Sequence, residues 1–169
     1  LLVAGCTHTI EPGRNTSAGA LPEGAKPIRQ VPAGEAQSSV WTFGGYEGQL
    51  IESTHYRIHT TVESTRFRRD VPRFFEGALS IYATAITDLP LPSGSMDTFL
   101  FADSRQWQAK TRELLPQQAD QFSNLGRGGY TTRGIAVLFY LDRSDTWAIA
   151  AHEGWHQYTQ NTFRDALPV

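Results

Sequence analysis

The residues best placed to do chemistry are His152, Glu153 and His156, in the run His152-Glu153-Gly154-Trp155-His156. On a helix, residues four apart sit one turn apart, so both imidazoles project from one face, about 6 Å apart along the axis. Two nitrogens placed in this way can meet one zinc ion at roughly 2.0–2.1 Å each. Glu153 follows the first histidine and is the expected general base, taking a proton from zinc-bound water and passing it to a leaving amine. Zinc lowers the pKa of that water toward about 7 and polarises the scissile carbonyl. The expected reaction is peptide-bond hydrolysis. Two other readings stay open: a solvated helix face that carries two histidines, and a site that keeps its shape without activity.

Two neighbours of the ligands bear on the packing. Gly154 inside a helix costs about 1 kcal/mol relative to Ala. Either a side chain there would crowd the site or a packed neighbour, or the helix simply tolerates the glycine. Trp155 points away from the metal by helical spacing, and with Trp147, Ala148, Ala151 and Tyr158 it is expected in the core.

The helix that carries the motif is expected over residues 145–159, with Asp142 or Ser144 as its cap. It directly follows an apolar strand over residues 135–141, the context that the motif requires. Upstream, order is expected to begin near Val40, with a turn at Gly44-Gly45. Residues 53–62 alternate in the manner of a half-buried strand, with Tyr56, Ile58 and Thr60 on one side and His55, Arg57 and His59 on the other. Phe67, Val71, Phe75, Leu79 and Tyr82 mark one face of a helix over residues 66–87. A buried strand is expected over 96–102 and a helix from Ser104, its cap, to about Leu115, where Pro116 stops it. Residues 117–125 are polar and ambiguous, and 126–129 form a glycine-rich loop. Strands alternating with helices predict one sheet with helices packed on it, α/β or α+β.

With 169 residues and 40% hydrophobic content, the chain suits one domain and a tail. A net charge of -2 gives no electrostatic case for a nucleic-acid partner. No apolar run reaches transmembrane length. The chain opens at Leu1, its one methionine is Met96, and it stops just after Pro168, so both ends are expected to be cut.

The single cysteine, Cys6, ends the run Leu1-Leu2-Val3-Ala4-Gly5-Cys6. Apolar and then small residues before a processing point are the pattern of a secretory signal. Val3-Ala4-Gly5-Cys6 resembles the bacterial lipobox, which implies cleavage before Cys6, acylation of its sulfur, and anchoring to a bacterial membrane outside the cytoplasm. A chance apolar start with a free thiol is the alternative. Residues 7–39 are rich in Gly, Ala, Pro, Ser and Thr and read as a flexible tether reaching about 30 Å. His8 lies in it without an expected role.

The run Ala151-His152-Glu153-Gly154-Trp155-His156-Gln157-Tyr158 resembles the active-site helix of gluzincin metallopeptidases, in particular the peptidase MA-like domains of bacterial lipoproteins. The resemblance covers roughly the last thirty-five residues. It implies an α+β, zincin-like fold, with a mixed sheet of about three to four strands and the active-site helix near the C-terminus. Residues 40–169 would be an incomplete domain of that kind. It implies a third zinc ligand, a Glu on the next helix beyond Val169, so the 169 residues alone would lack activity. It also implies that an edge strand over residues 134–141 pairs with an extended substrate, and that Gly128-Gly129-Tyr130 shape either the cleft rim or a plain turn. A transition-state-stabilising residue is not assignable. The metzincin pattern is excluded by Thr159 and Thr162. Asp165 is a remote substitute for the third ligand, with turn capping as its other reading. His55 and His59 could share a metal, or be exposed strand histidines. The alternative to an enzyme is an inactive peptidase-like domain that binds peptide or cell-envelope components.

Overall fold

A computed structural model describes residues 35–84, 87–123 and 128–163. Cys6, most of the tether and Asp165 lie outside them. The order of elements is β1 (Gln37–Phe43), β2 (Tyr46–Glu52), β3 (Tyr56–Thr60), α1 (Thr65–Thr84), β4 (Met96–Phe101), α2 (Ser104–Leu114), α3 (Ala119–Ser123), β5 (Gly129–Thr132), β6 (Ile135–Phe139) and α4 (Arg143–Thr162).

The fold is α+β, with six strands in the order β1-β2-β3-β4-β6-β5, more than the three to four expected. The centre, β3-β4-β6, is parallel, and an antiparallel strand pairing flanks it on each side. β1 already includes Gln37, Ser38 and Ser39, which the sequence had assigned to the tether. Gly44 and Gly45 make the first hairpin turn, at φ 56° and 85°. These values favour glycine and match the twist of a two-residue hairpin.

Alternation along the strands splits the core into two layers. Tyr56, Ile58, Met96, Leu100 and Leu138 face α1 and α4 and pack with Val71, Phe75, Leu79 and Tyr158. Phe101, Val137 and Phe139 face the other way, toward Trp107 of α2. Trp107 is 1% exposed, and its ring N–H donates to the Val137 carbonyl at 3.1 Å. Asp103, not Ser104, caps α2, since its carboxylate accepts from the N–H groups of Arg105 and Gln106. Asp142 caps α4 through the N–H of Asp145. Among the described residues, no helix is long and apolar enough to cross a membrane.

Candidate metal centre

α4 carries the motif and is held in place from two sides. On one side Tyr82 of α1 donates its hydroxyl to the Ala151 carbonyl at 2.5 Å. Burial pushes the Tyr82 phenol up to about 12, so it stays a donor across the working pH range. A Cβ on Gly154 would stand 3.0 Å from the Tyr82 oxygen, so the glycine avoids crowding a packed neighbour. Tyr158, fully buried, donates to the Pro90 carbonyl at 2.8 Å and pins the loop after α1.

On the other side α4 grips the β5–β6 hairpin. Gln157, 0% exposed, donates to the Asp97 carbonyl at 2.7 Å and the Gly134 carbonyl at 3.2 Å, and accepts from Thr98. Gln160 accepts from the Gly134 N–H, and Asn161 donates to the Gly134 carbonyl. Gly134 has φ 76°, and an added Cβ would stand 2.7 Å from the Asn161 amide, so any other residue would be strained there and would displace that amide.

His152 and His156 both project into solvent from this anchored helix. Their Nε2 atoms lie 3.3 Å apart, with ring planes at 79°. Two nitrogens on one tetrahedral zinc, each at roughly 2.0–2.1 Å, stand about 3.3–3.4 Å from each other. The pair therefore already has the spacing that a shared ion needs.

Glu153 turns inward instead. It is 9% exposed, and its Oε2 lies 2.9 Å from the Thr131 hydroxyl, which also reaches the Glu153 carbonyl at 2.9 Å. Thr131 is a site residue that sequence reasoning missed; no motif contains it, and it meets Glu153 only across the fold. Its strand, β5, is the sheet edge beside the motif. β6, expected to be the edge, lies between β4 and β5. Gly129 and Tyr130 belong to β5, not to a turn.

The chain matches no family model, no curated protein and no solved structure.

The remaining candidates separate from the motif. His55 and His59 are not exposed and do not share a point. His55 Nδ1 lies 2.8 Å from Glu76 of α1, and His59 Nε2 lies 3.0 Å from Asp97 of β4. Their side chains are 14% and 16% exposed. Among the described residues, no group of three or more His, Cys, Asp or Glu is arranged to hold a metal. Trp155 and Ala148, expected in the core, are on the surface. The Trp155 ring meets those of Tyr82 and Tyr158, while Trp147 is half-buried and stacks on Phe67 and Phe74.

Proposed function

We propose that this chain carries part of a zinc-dependent peptide-hydrolysing site at a bacterial membrane surface, with His152 and His156 as ligands and Glu153 as general base. The observation that carries the reading is the 3.3 Å separation of the two exposed Nε2 atoms, which fits one tetrahedral ion. When bound, zinc would supply Lewis acidity and a water acidic enough to ionise near neutral pH. Catalytic zinc takes three protein ligands, and in this reading the third comes from outside the described residues.

The chain's own residues do the rest. Thr131 holds Oε2 of Glu153, and in this reading the other carboxylate oxygen would take the proton from the attacking water and pass it to the leaving amine. Among the described residues no strand pairs with the outer edge of β5, the strand whose Thr131 meets Glu153, and an extended peptide can add there as a further strand. Acylated Cys6 would tether the domain to the membrane.

Metal analysis and one variant test the proposal in the full-length protein. About one zinc per chain is expected, together with hydrolysis of a mixed peptide library. Glu153→Gln should keep the metal and lose at least a hundredfold in turnover. Unchanged turnover would remove Glu153 from the mechanism, and absence of stoichiometric zinc would end the reading altogether.

One observation favours an inactive, peptide-binding relative: the carboxylate of Glu153 is nearly buried and already bonded to Thr131. Stoichiometric zinc with no hydrolysis by the native protein supports that version.

A further inference from the structure

On the α1 side of the sheet, a trough of about 600 Å³ runs between the β1–β2 hairpin and the first half of α1. It exists because the helices on that face stack over the parallel centre, with α1 against β3 and α4 against β6, while the hairpin extends beyond them. Its volume falls in the range of roughly 300–1,000 Å³ common for ligand sites. It contains neither His152, Glu153 nor His156.

Its helix wall is cationic. Arg68, Arg69 and Arg73 all line it. The Arg68 guanidinium donates to the Glu63 carbonyl at 2.9 Å, and among the described residues no carboxylate pairs with it. Arg73 is exposed and has no ion-pair partner among the described residues. Arg69 contacts Asp70, a carboxylate it shares with Arg143. The lining also holds two carboxylates. Glu76 is 2% exposed and already engaged by the Ser53 hydroxyl at 2.7 Å, the His55 N–H at 2.8 Å and the His55 ring. Glu35 is exposed at the end of the described chain and is the one acidic group facing out. The walls thus offer guanidinium charge in excess, over an apolar floor of Ile51 and Pro72.

The shape selects among anionic ligands. Thr65 and Glu76 bound the helix wall, and at 1.5 Å per residue they stand about 16 Å apart. An extended strand covers that distance in about five residues at roughly 3.3 Å each. Arg68 and Arg73 lie toward opposite sides of the helix face that Pro72 and Glu76 centre, because their five-residue separation turns them about 140° apart.

We propose that this trough binds an acidic peptide segment of about five residues, extended along α1. Arg68 and Arg73 take its carboxylates in forked hydrogen bonds, and its apolar side chains rest on Ile51 and Pro72. The proposal is independent of zinc and of hydrolysis.

Binding of a fluorescein-labelled peptide, Asp-Glu-Leu-Asp-Glu, to the full-length protein tests it by anisotropy. The Asn-Gln-Leu-Asn-Gln peptide serves as the uncharged control. The acidic peptide should bind and the control should not, with affinity falling as salt rises. Arg68→Gln and Arg73→Gln should each weaken binding about tenfold, in line with loss of one charge-assisted hydrogen bond. Arg73 is exposed and Arg68 is half-buried at the rim, so far-UV circular dichroism should show an intact fold for both variants. His152→Ala should leave binding unchanged. Equal binding of the two peptides, or indifference to both arginine variants, would overturn the proposal. So would tighter, arginine-dependent binding of inorganic phosphate or of phosphatidylglycerol vesicles, which would assign the trough to phosphate groups.

Discussion

Two histidine pairs in this protein have the same spacing in sequence, His55 with His59 and His152 with His156, and opposite fates. On α4 the spacing closes one helical turn, and the ring nitrogens come to 3.3 Å. Along the extended chain the same four steps cover roughly 13 Å. His55, in the bend before β3, turns toward α1, while His59 faces the opposite layer, against Trp41 and Phe99. Each then acquires a carboxylate of its own. Spacing alone specifies no site; the secondary structure that carries it does.

The sharpest way to break this comparison is by metal content. His152→Ala or His156→Ala should remove stoichiometric zinc from the full-length protein, and His55→Ala or His59→Ala should not. Zinc lost with the strand pair would reverse the assignment. Next in size is Glu76→Ala, which leaves the Ser53 and His55 donors without their buried acceptor. We expect a loss of about 3 kcal/mol in urea unfolding, with zinc binding retained. A loss under about 1 kcal/mol would mean that water replaces the carboxylate.

Gly154→Ala probes how the helical pair is held. Alanine gains about 1 kcal/mol of helix propensity over glycine. Yet its Cβ would press on a Tyr82 hydroxyl that cannot retreat without giving up its bond to Ala151. Net destabilisation of about 1 kcal/mol is expected in wild type, turning to stabilisation in a Tyr82→Phe background, where the oxygen is gone. The same sign in both backgrounds would show that the contact is slack.

The smallest effect concerns the strand pair and pH. Burial raises the Asp97 carboxyl, but hydrogen bonds from His59 and Arg57 outweigh it and hold the group below the usual Asp range. A carboxyl depressed in the folded state stabilises the protein above its unfolded pKa of about 3.9. That contribution is lost as pH falls through the folded value. Asp97→Asn should therefore be less stable than wild type near neutral pH, with the gap closing under acid. A gap that persists at the lowest pH would argue for a packing effect.

The parts of the fold legible in the sequence are those with strong local periodicity. The apolar stripe of α1, the buried strands β4 and β6 and the Asp142 cap of α4 all appear where pattern places them. β2 and β5 did not stand out. β2 is Tyr46-Glu47-Gly48-Gln49-Leu50-Ile51-Glu52, with only Ile51 fully buried, and β5 is four residues long at a sheet edge. Strands with so little buried surface leave no alternation to read. Trp155 was misplaced for another reason: helical spacing turns it away from the histidines, which suggested the core, but that angle sets it at the rim of the α1–α4 contact, against Tyr82.

What the sequence determined by itself is the histidine pair, because the helix that carries it was legible from its Asp142 cap and the strand before it, and helix geometry then fixes the placement of residues four apart. What tertiary structure decided is the setting of Glu153. Its partner Thr131 lies 22 residues earlier on another element, and Gln157 reaches Asp97 across 60. Contacts of that range exist only once the sheet order is fixed. A sheet order comes from the whole core closing at once, not from any short run of residues.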